Sequence, residues 1–209
     1  MQTQPSFGKF IALEGIEGSG KTTVRKYLEQ ALADLPVVFT REPDDESIRG
    51  FIMNNETGKY HWHTQFLLFC ADRAEHIAKF IIPKRAAGLH VISDRFDGSS
   101  YAIQVPYERE DAVSYFMAIT STVTRNARPD AYLFFDVPAE VGRARALARN
   151  EAATRFDVQP IEWYERVRNG YKQFFDDEVR DKAYVIDATQ SIEEVCKEAE
   201  RIIRRILAQ

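Results

Sequence analysis

The stretch EGIEGSGKTT, Glu14 to Thr23, constrains this chain more than any other. Gly15, Gly20, Lys21 and Thr22 satisfy the spacing G-x-x-x-x-G-K-[ST], with an apolar run over 10–13 before them and a helical apolar pattern over 24–35 behind. A strand, a tight turn and a helix in succession suit such a segment. Glycines let the backbone turn so that consecutive N–H groups point inward at phosphate oxygens. A helix starting near Lys21 adds the positive end of its dipole. Lys21 supplies a mobile positive charge to β- and γ-phosphates, and the Thr22 hydroxyl is placed to bind Mg²⁺. Glu17, Gly18, Ser19 and Thr23 complete the candidate nucleotide cradle. A chance match in a glycine-containing turn is the opposing reading, and the flanking strand and helix argue against it. The loop alone does not separate a kinase from a GTPase, a motor or a binding module.

The rest of the chain alternates in the same way. Short runs rich in Val, Ile, Phe and Tyr fall at 10–13, 37–40, 90–93, 132–137 and 183–186, with little apolar–polar alternation. That is the pattern of strands covered on both faces. Between them residues recur at helical spacing, as at Phe66, Phe69, Cys70, Arg73 and Ile77, and apolar ones at Val113, Phe116 and Ile119 and at Ile192, Val195, Cys196, Ala199, Ile202, Ile203 and Ile206. The expectation is an α/β fold, a parallel sheet with helices on both faces and ligands beyond the carboxyl ends of its strands. With 209 residues and no repeat or linker, the chain reads as one domain over 1–209. A net charge of −4 argues against bulk nucleic-acid binding. No apolar run is long enough to span a bilayer, and no secretory signal opens the sequence. Cys70 and Cys196 read as buried thiols of a cytoplasmic protein, without a disulfide.

Two segments point to a second phosphate. TREP follows the second strand and SDRFDGSS the third, so Arg41 and Arg95 each stand at a strand's carboxyl end. Two such guanidiniums can grip a phosphate with bidentate geometry, although either alone is more commonly a surface ion pair. Asp94 closes an apolar run, as the Mg²⁺-associated carboxylate of a phosphate-loop protein does. In FLLFCADRAEH, Phe69 and Arg73 are four apart and share a helix face. They suit a base stacked on a ring and held at a carbonyl. They equally suit a core Phe and an Arg paired with Asp72 or Glu75. His61, His63 and His76 form no metal pattern. EVGRARALARNEAATRFD carries Arg143, Arg145, Arg149 and Arg155, with Arg145 and Arg149 on one face if the segment is helical. This is either a solvated basic face or a lid that meets transition-state charge and excludes water.

The order and spacing of FIALEGIEGSGKTT, VFTREP, LLFCADRAEHI, IIPKRAAGLHVISDRFDGSSYAIQ, RPDAYLFFDVPAEVGRAR, RVRNGY and YVIDA resemble the thymidylate kinases over nearly the whole chain. The resemblance implies a phosphate-loop nucleoside monophosphate kinase with a five-stranded parallel sheet, a lid near 143–157, and homodimers. It implies transfer of phosphate from ATP to dTMP with Mg²⁺. Phe69 then stacks on thymine, Arg73 bonds its carbonyl, and Ser99, Ser100 and Gln104 approach the acceptor. Arg95 holds the acceptor phosphate with Arg41 and Arg49. Glu14 lies by the acceptor, Asp94 by metal and phosphates, Arg145 against adenine, and Arg149 reaches the transferred group. Lys21, Arg95, Arg149, Asp94 and Glu14 are the implied catalytic set.

The chain departs from the family pattern in three places. REPDDESIR is shorter and more acidic than usual, Ile103 stands where a tyrosine is common, and Thr154 replaces an aspartate. The altered acceptor edge keeps a kinase for another pyrimidine deoxynucleotide, such as a 5-substituted dUMP, as an alternative. A GTPase-like module is the reading from a different class, but the guanine-reading tetrapeptide N-K-x-D does not occur. An inactive scaffold fits poorly with the presence of Lys21, Arg95 and the lid arginines.

Overall fold

The computed structural model describes residues 7–53, 59–125, 127–149 and 154–208. The five apolar runs form strands β1 (Phe10–Glu14), β2 (Val37–Arg41), β3 (His90–Asp94), β4 (Ala131–Asp136) and β5 (Ala183–Asp187). All pair in parallel, in the order β2-β3-β1-β4-β5. Every residue of β1 is buried, as are the first five of β4. The edge strands depart from the expectation of double coverage. β2 is mostly half-buried and β5 is partly exposed, with Val185 63% exposed, because each has a neighbour on one side only.

Nine α-helices connect the strands among the described residues: α1 (Lys21–Ala31), α2 (Glu46–Met53), α3 (Trp62–His76), α4 (Ile82–Ala86), α5 (Asp97–Gln104), α6 (Glu110–Thr124), α7 (Ala139–Leu147), α8 (Ile161–Gln173) and α9 (Ile192–Leu207). A wider π turn, Ile77–Ile81, joins α3 to α4 just before Pro83, which has no N–H to donate. α1 starts at Lys21, as expected, but ends at Ala31, short of the apolar pattern that runs to Leu35. The apolar stripe of α9 is buried from Val195 to Ile206, but Ile192 is 48% exposed at the helix start. Ser191 and Glu194 close a reciprocal capping box there. Cys70 and Cys196 are buried free thiols.

The topology sets where a ligand can sit. The chain leaves β1 toward β2, but it leaves β3 across β1 toward β4. Adjacent strands whose connections diverge open a crevice at their carboxyl ends. The loops after β1 and β3 are EGIEGSGKTT and SDRFDGSS.

Candidate active site

The loop after β1 is shaped by its glycines. Gly18 has φ of 74° and Gly20, the residue before α1, has φ of 92°. A Cβ on Gly18 would lie 1.9 Å from the Gly142 carbonyl oxygen, so the loop packs directly on α7. No side chain caps α1, which leaves its first N–H groups for an anion. Lys21 is buried and folds back, donating from Nζ to Gly15 O at 2.7 Å, Ile16 O at 3.0 Å and Ser19 Oγ at 3.2 Å. Burial pushes its pKa down, Arg95 adds to this, and Glu17, Asp94 and Glu14 partly offset it, leaving about 8. Beside the loop is a cavity of about 280 Å³, walled by Gly18, Ser19, Gly20 and Thr23 and, opposite, by Arg145, Arg149 and Ile192. Arg145 is steadied there by donating to Ala188 O at 2.8 Å.

A second cavity of about 300 Å³ runs over the carboxyl ends of β2 and β3. Its walls include Phe69, Arg73 and Gln104 together with Arg41, Arg49, Arg95, Asp94 and Thr22. Phe69 is half-buried and faces this space rather than the core. Arg73 is 1% exposed and pairs with neither Asp72 nor Glu75. Its Nε donates to Glu42 Oε2 at 2.9 Å and its Nη2 to Ser100 Oγ at 3.0 Å. Its Nη1 is buried and lacks a hydrogen-bond partner among the described residues, as do both amide atoms of Gln104 and Oδ1 of Asp94. These are groups that a bound molecule would satisfy.

Arg95 has φ of 75°, which turns its side chain back over the phosphate loop. It donates to Glu17 Oε1 at 2.6 Å, Tyr171 Oη at 3.0 Å, and Ser99 Oγ and Gly15 O at 3.1 Å. Burial pushes the Glu17 carboxyl up, but Arg95, Lys21 and Arg149 together outweigh it and hold it below the usual range.

Three expectations are corrected here. Glu14 is 0% exposed and lines neither cavity. It accepts from Phe96 N–H at 2.9 Å, Ser99 N–H at 3.1 Å and Ser99 Oγ at 2.6 Å, so it ties β1 to the start of α5. Burial raises its pKa to about 6. Ser100 lies behind Arg73, off the cavity wall. Glu17, grouped by sequence with the nucleotide cradle, lines the second cavity and not the first.

Sequence reasoning missed Glu42 and Tyr171. Glu42 is buried and holds both Arg73 and His76, whose Nδ1 is 3.1 Å from Glu42 Oε1. Tyr171 braces Arg95 and Ser99. The only signal was their place in TREP and RVRNGY.

The lid differs from expectation too. α7 ends at Leu147, so Arg149 lies past the helix instead of sharing a face with Arg145. Residues 150–153 of the expected lid lie outside the described residues. Arg143 donates to Gln159 O at 2.9 Å. Arg149 Nη1 is 3.9 Å from Asp157 Oδ1, and Thr154 N–H donates to Asp157 Oδ2 at 2.8 Å. Among the described residues, Arg149 alone lines both the first and the second cavity.

Among the described residues no three His, Cys, Asp or Glu gather as a metal cluster. Two oxygen donors on the wall of the second cavity are the Thr22 hydroxyl and the Asp94 carboxylate, whose Oδ1 is buried without a hydrogen-bond partner among the described residues. Two hard oxygen donors beside a phosphate site fit Mg²⁺, which takes its other ligands from phosphates and water.

A family model described as thymidylate kinase matches residues 13–199. The thymidylate kinase of Pseudomonas fluorescens (strain Pf0-1) is 39% identical over 208 residues, 96% of this chain and 97% of its own. That of Marinomonas sp. (strain MWYL1) is 35% identical, over 95% of each chain. That of Clostridium novyi (strain NT) is 34% identical, over 94% of this chain and 98% of its own.

Proposed function

The chain belongs to the thymidylate kinase family, and from that membership we propose that it transfers the γ-phosphoryl group of ATP to dTMP, giving ADP and dTDP for dTTP synthesis. One observation carries the reading at the level of geometry: a cavity at the phosphate loop and a cavity of base- and phosphate-binding character share Arg149 on their walls. A shared wall is what in-line transfer between two nucleotides requires.

In this reading the loop N–H groups and Lys21 hold the donor phosphates, and Arg145 lies against adenine. Phe69 and Arg73 take the thymine, with Gln104 at its edge. Arg95, helped by Arg41 and Arg49, holds the acceptor phosphate, and its bond to Glu17 loosens as it does so. Arg149 meets the charge that spreads over the transferring group. Thr22 and Asp94 would hold Mg²⁺, which when bound neutralises phosphate charge. Glu14 acts through position alone, by fixing Ser99 and the β3–α5 bend that presents Arg95. No covalent intermediate is needed. We further take residues 1–209 as one domain with its lid across 143–157, acting as a cytoplasmic homodimer. Family resemblance supports the dimer, and a sedimentation velocity run at the monomer or dimer mass decides it.

The test is ADP release with Mg²⁺-ATP and a panel of dNMPs. Release that depends on dTMP supports the reading. ATP hydrolysis indifferent to any dNMP would overturn it in favour of a nucleotide-dependent module.

A further inference from the structure

A third cavity, of about 400 Å³, adjoins the acceptor cavity, and Ile103, Gln104 and Phe156 line both. Its other walls include Trp62, Trp163 and Arg155. Trp62 and Trp163 are the chain's two tryptophans. Arg155 Cζ lies 4.5 Å over the Phe156 ring, and Phe156 stacks on Trp163 at 6.1 Å and 30°. The Nε and Nη2 of Arg155 are nevertheless buried without a hydrogen-bond partner among the described residues. A guanidinium keeps its charge and its donors at any ordinary pH, so leaving them buried and unmet costs free energy until an acceptor arrives. An aromatic wall with a few unmet polar groups is the make-up of a ligand pocket.

The position of this chamber says what reaches it. Along α5, Ser99 touches Arg95 and Ser100 touches Arg73. Ile103 and Gln104 come about one helical turn later, roughly 5 Å farther along the axis. The chamber therefore continues the acceptor cavity on the side of Gln104, which the proposed function sets at the edge of the base. The unpartnered Gln104 amide at the junction offers both a donor and an acceptor to whatever passes.

We propose that this chamber extends the acceptor site, so that the enzyme phosphorylates, besides dTMP, pyrimidine deoxynucleoside monophosphates whose base carries a short arm ending in a carboxylate or similar acceptor, received by Arg155. The proposal rests on the kinase reading above. The bonds made and broken are those of the dTMP reaction, and the arm takes no chemical part.

The probes are dUMP armed at C5 and dCMP armed at N4 with a three-carbon chain, each ended by a carboxylate or by a methyl group. At least one carboxylate-armed nucleotide should reach a kcat/KM within tenfold of dTMP. It should exceed its methyl-ended twin by about tenfold or more, as a charge-assisted hydrogen bond supplies. Its binding should change tryptophan emission more than dTMP does, since both tryptophans line the chamber. Arg155→Met should bring the carboxylate-to-methyl ratio toward one. Equal turnover of the two arms in the unaltered enzyme overturns the proposal, as does a ratio that survives Arg155→Met. If that variant does not fold, an emission change no larger for the carboxylate arm than for the methyl arm in the unaltered enzyme overturns it as well. Turnover of dTMP with none of the armed nucleotides ends this proposal and leaves the kinase reading intact. No turnover of dTMP ends the kinase reading itself.

Discussion

At the scale of single residues, Arg149 and Lys21 separate the roles most sharply. Arg149 borders both cavities, is 38% exposed along its side chain, and has Asp157 only at 3.9 Å, which suits the role proposed for it. Arg149→Ala should lower kcat by about a thousandfold or more, as loss of a transition-state arginine does, while dTMP affinity changes little. Steady-state kinetics with an independent dTMP binding isotherm check this, and a loss confined to affinity would contradict it. Lys21 adds a pH signature. Its pKa in the empty fold is about 8, depressed by burial, whereas phosphates bind its charged form. Linkage then gives a sign: above pH 8, ADP binding must take up a proton, and affinity falls up to tenfold per unit until the pKa of the bound state is reached. In the empty fold the same depression makes charged Lys21 a cost that is complete below pH 8 and relieved toward the usual lysine range. Calorimetry at pH 9 in buffers of different ionisation enthalpy should show the uptake, and none would sink the assignment. What the sequence showed of these sites was local. Lys21 and Thr22 follow from spacing, whereas a four-residue interval put Phe69 and Arg73 on one face and only the resemblance gave them a role. The partner of Arg73 is Glu42, 31 residues away, and the burial of Glu14 depends on the start of α5, 85 residues on. Pairings at that separation are made by the fold, and no local pattern encodes them.

At the scale of elements, the strands were legible because buried parallel strands must be apolar throughout, and their expected limits lie within one residue of the observed ones. Helix ends were not. α7 stops at Leu147 and α1 at Ala31 without a glycine or proline to mark either end. The packing of α7 against the phosphate loop was invisible as well, although it shapes the first cavity. Gly142 on α7 lies so near the loop that an added Cβ would stand 2.6 Å from Ile16 Cδ1 and 2.9 Å from Glu17 O. The isoleucine tip can turn aside, but the loop carbonyl cannot move without the loop. Gly142→Ala should therefore push α7 and the loop apart, at a stability cost of about 1–3 kcal/mol. ATP affinity should drop about tenfold, and dTMP affinity much less, because Arg73 and Phe69 sit on α3, away from that contact. Thermal melts and separate isotherms for the two nucleotides check the asymmetry. Equal losses for both would show that the change spreads through the whole sheet.

At the scale of the whole molecule, two cavities stand over neighbouring strand ends with Arg149 on the wall of each. Such a molecule should treat two linked nucleotides as one ligand. Joining adenosine and thymidine through a polyphosphate chain makes the second binding event intramolecular, at an effective concentration set by the linker. The linked compound should bind at least a hundredfold tighter than ADP or dTMP alone. Present at 100 times its own Kd, it should add about 2.7 kcal/mol of stability, or very roughly 5–10 °C in Tm for a chain of this size. The gain should depend on linker length, since a chain too short to span the sites forfeits it. Arg149→Ala should remove more of the gain than of the affinity for either half, because only the joined compound places phosphate at the shared wall. A linked compound that binds no better than its stronger half, at every linker length tried, would mean that the cavities do not communicate. Transfer between them would then need a rearrangement that this arrangement of the chain does not contain.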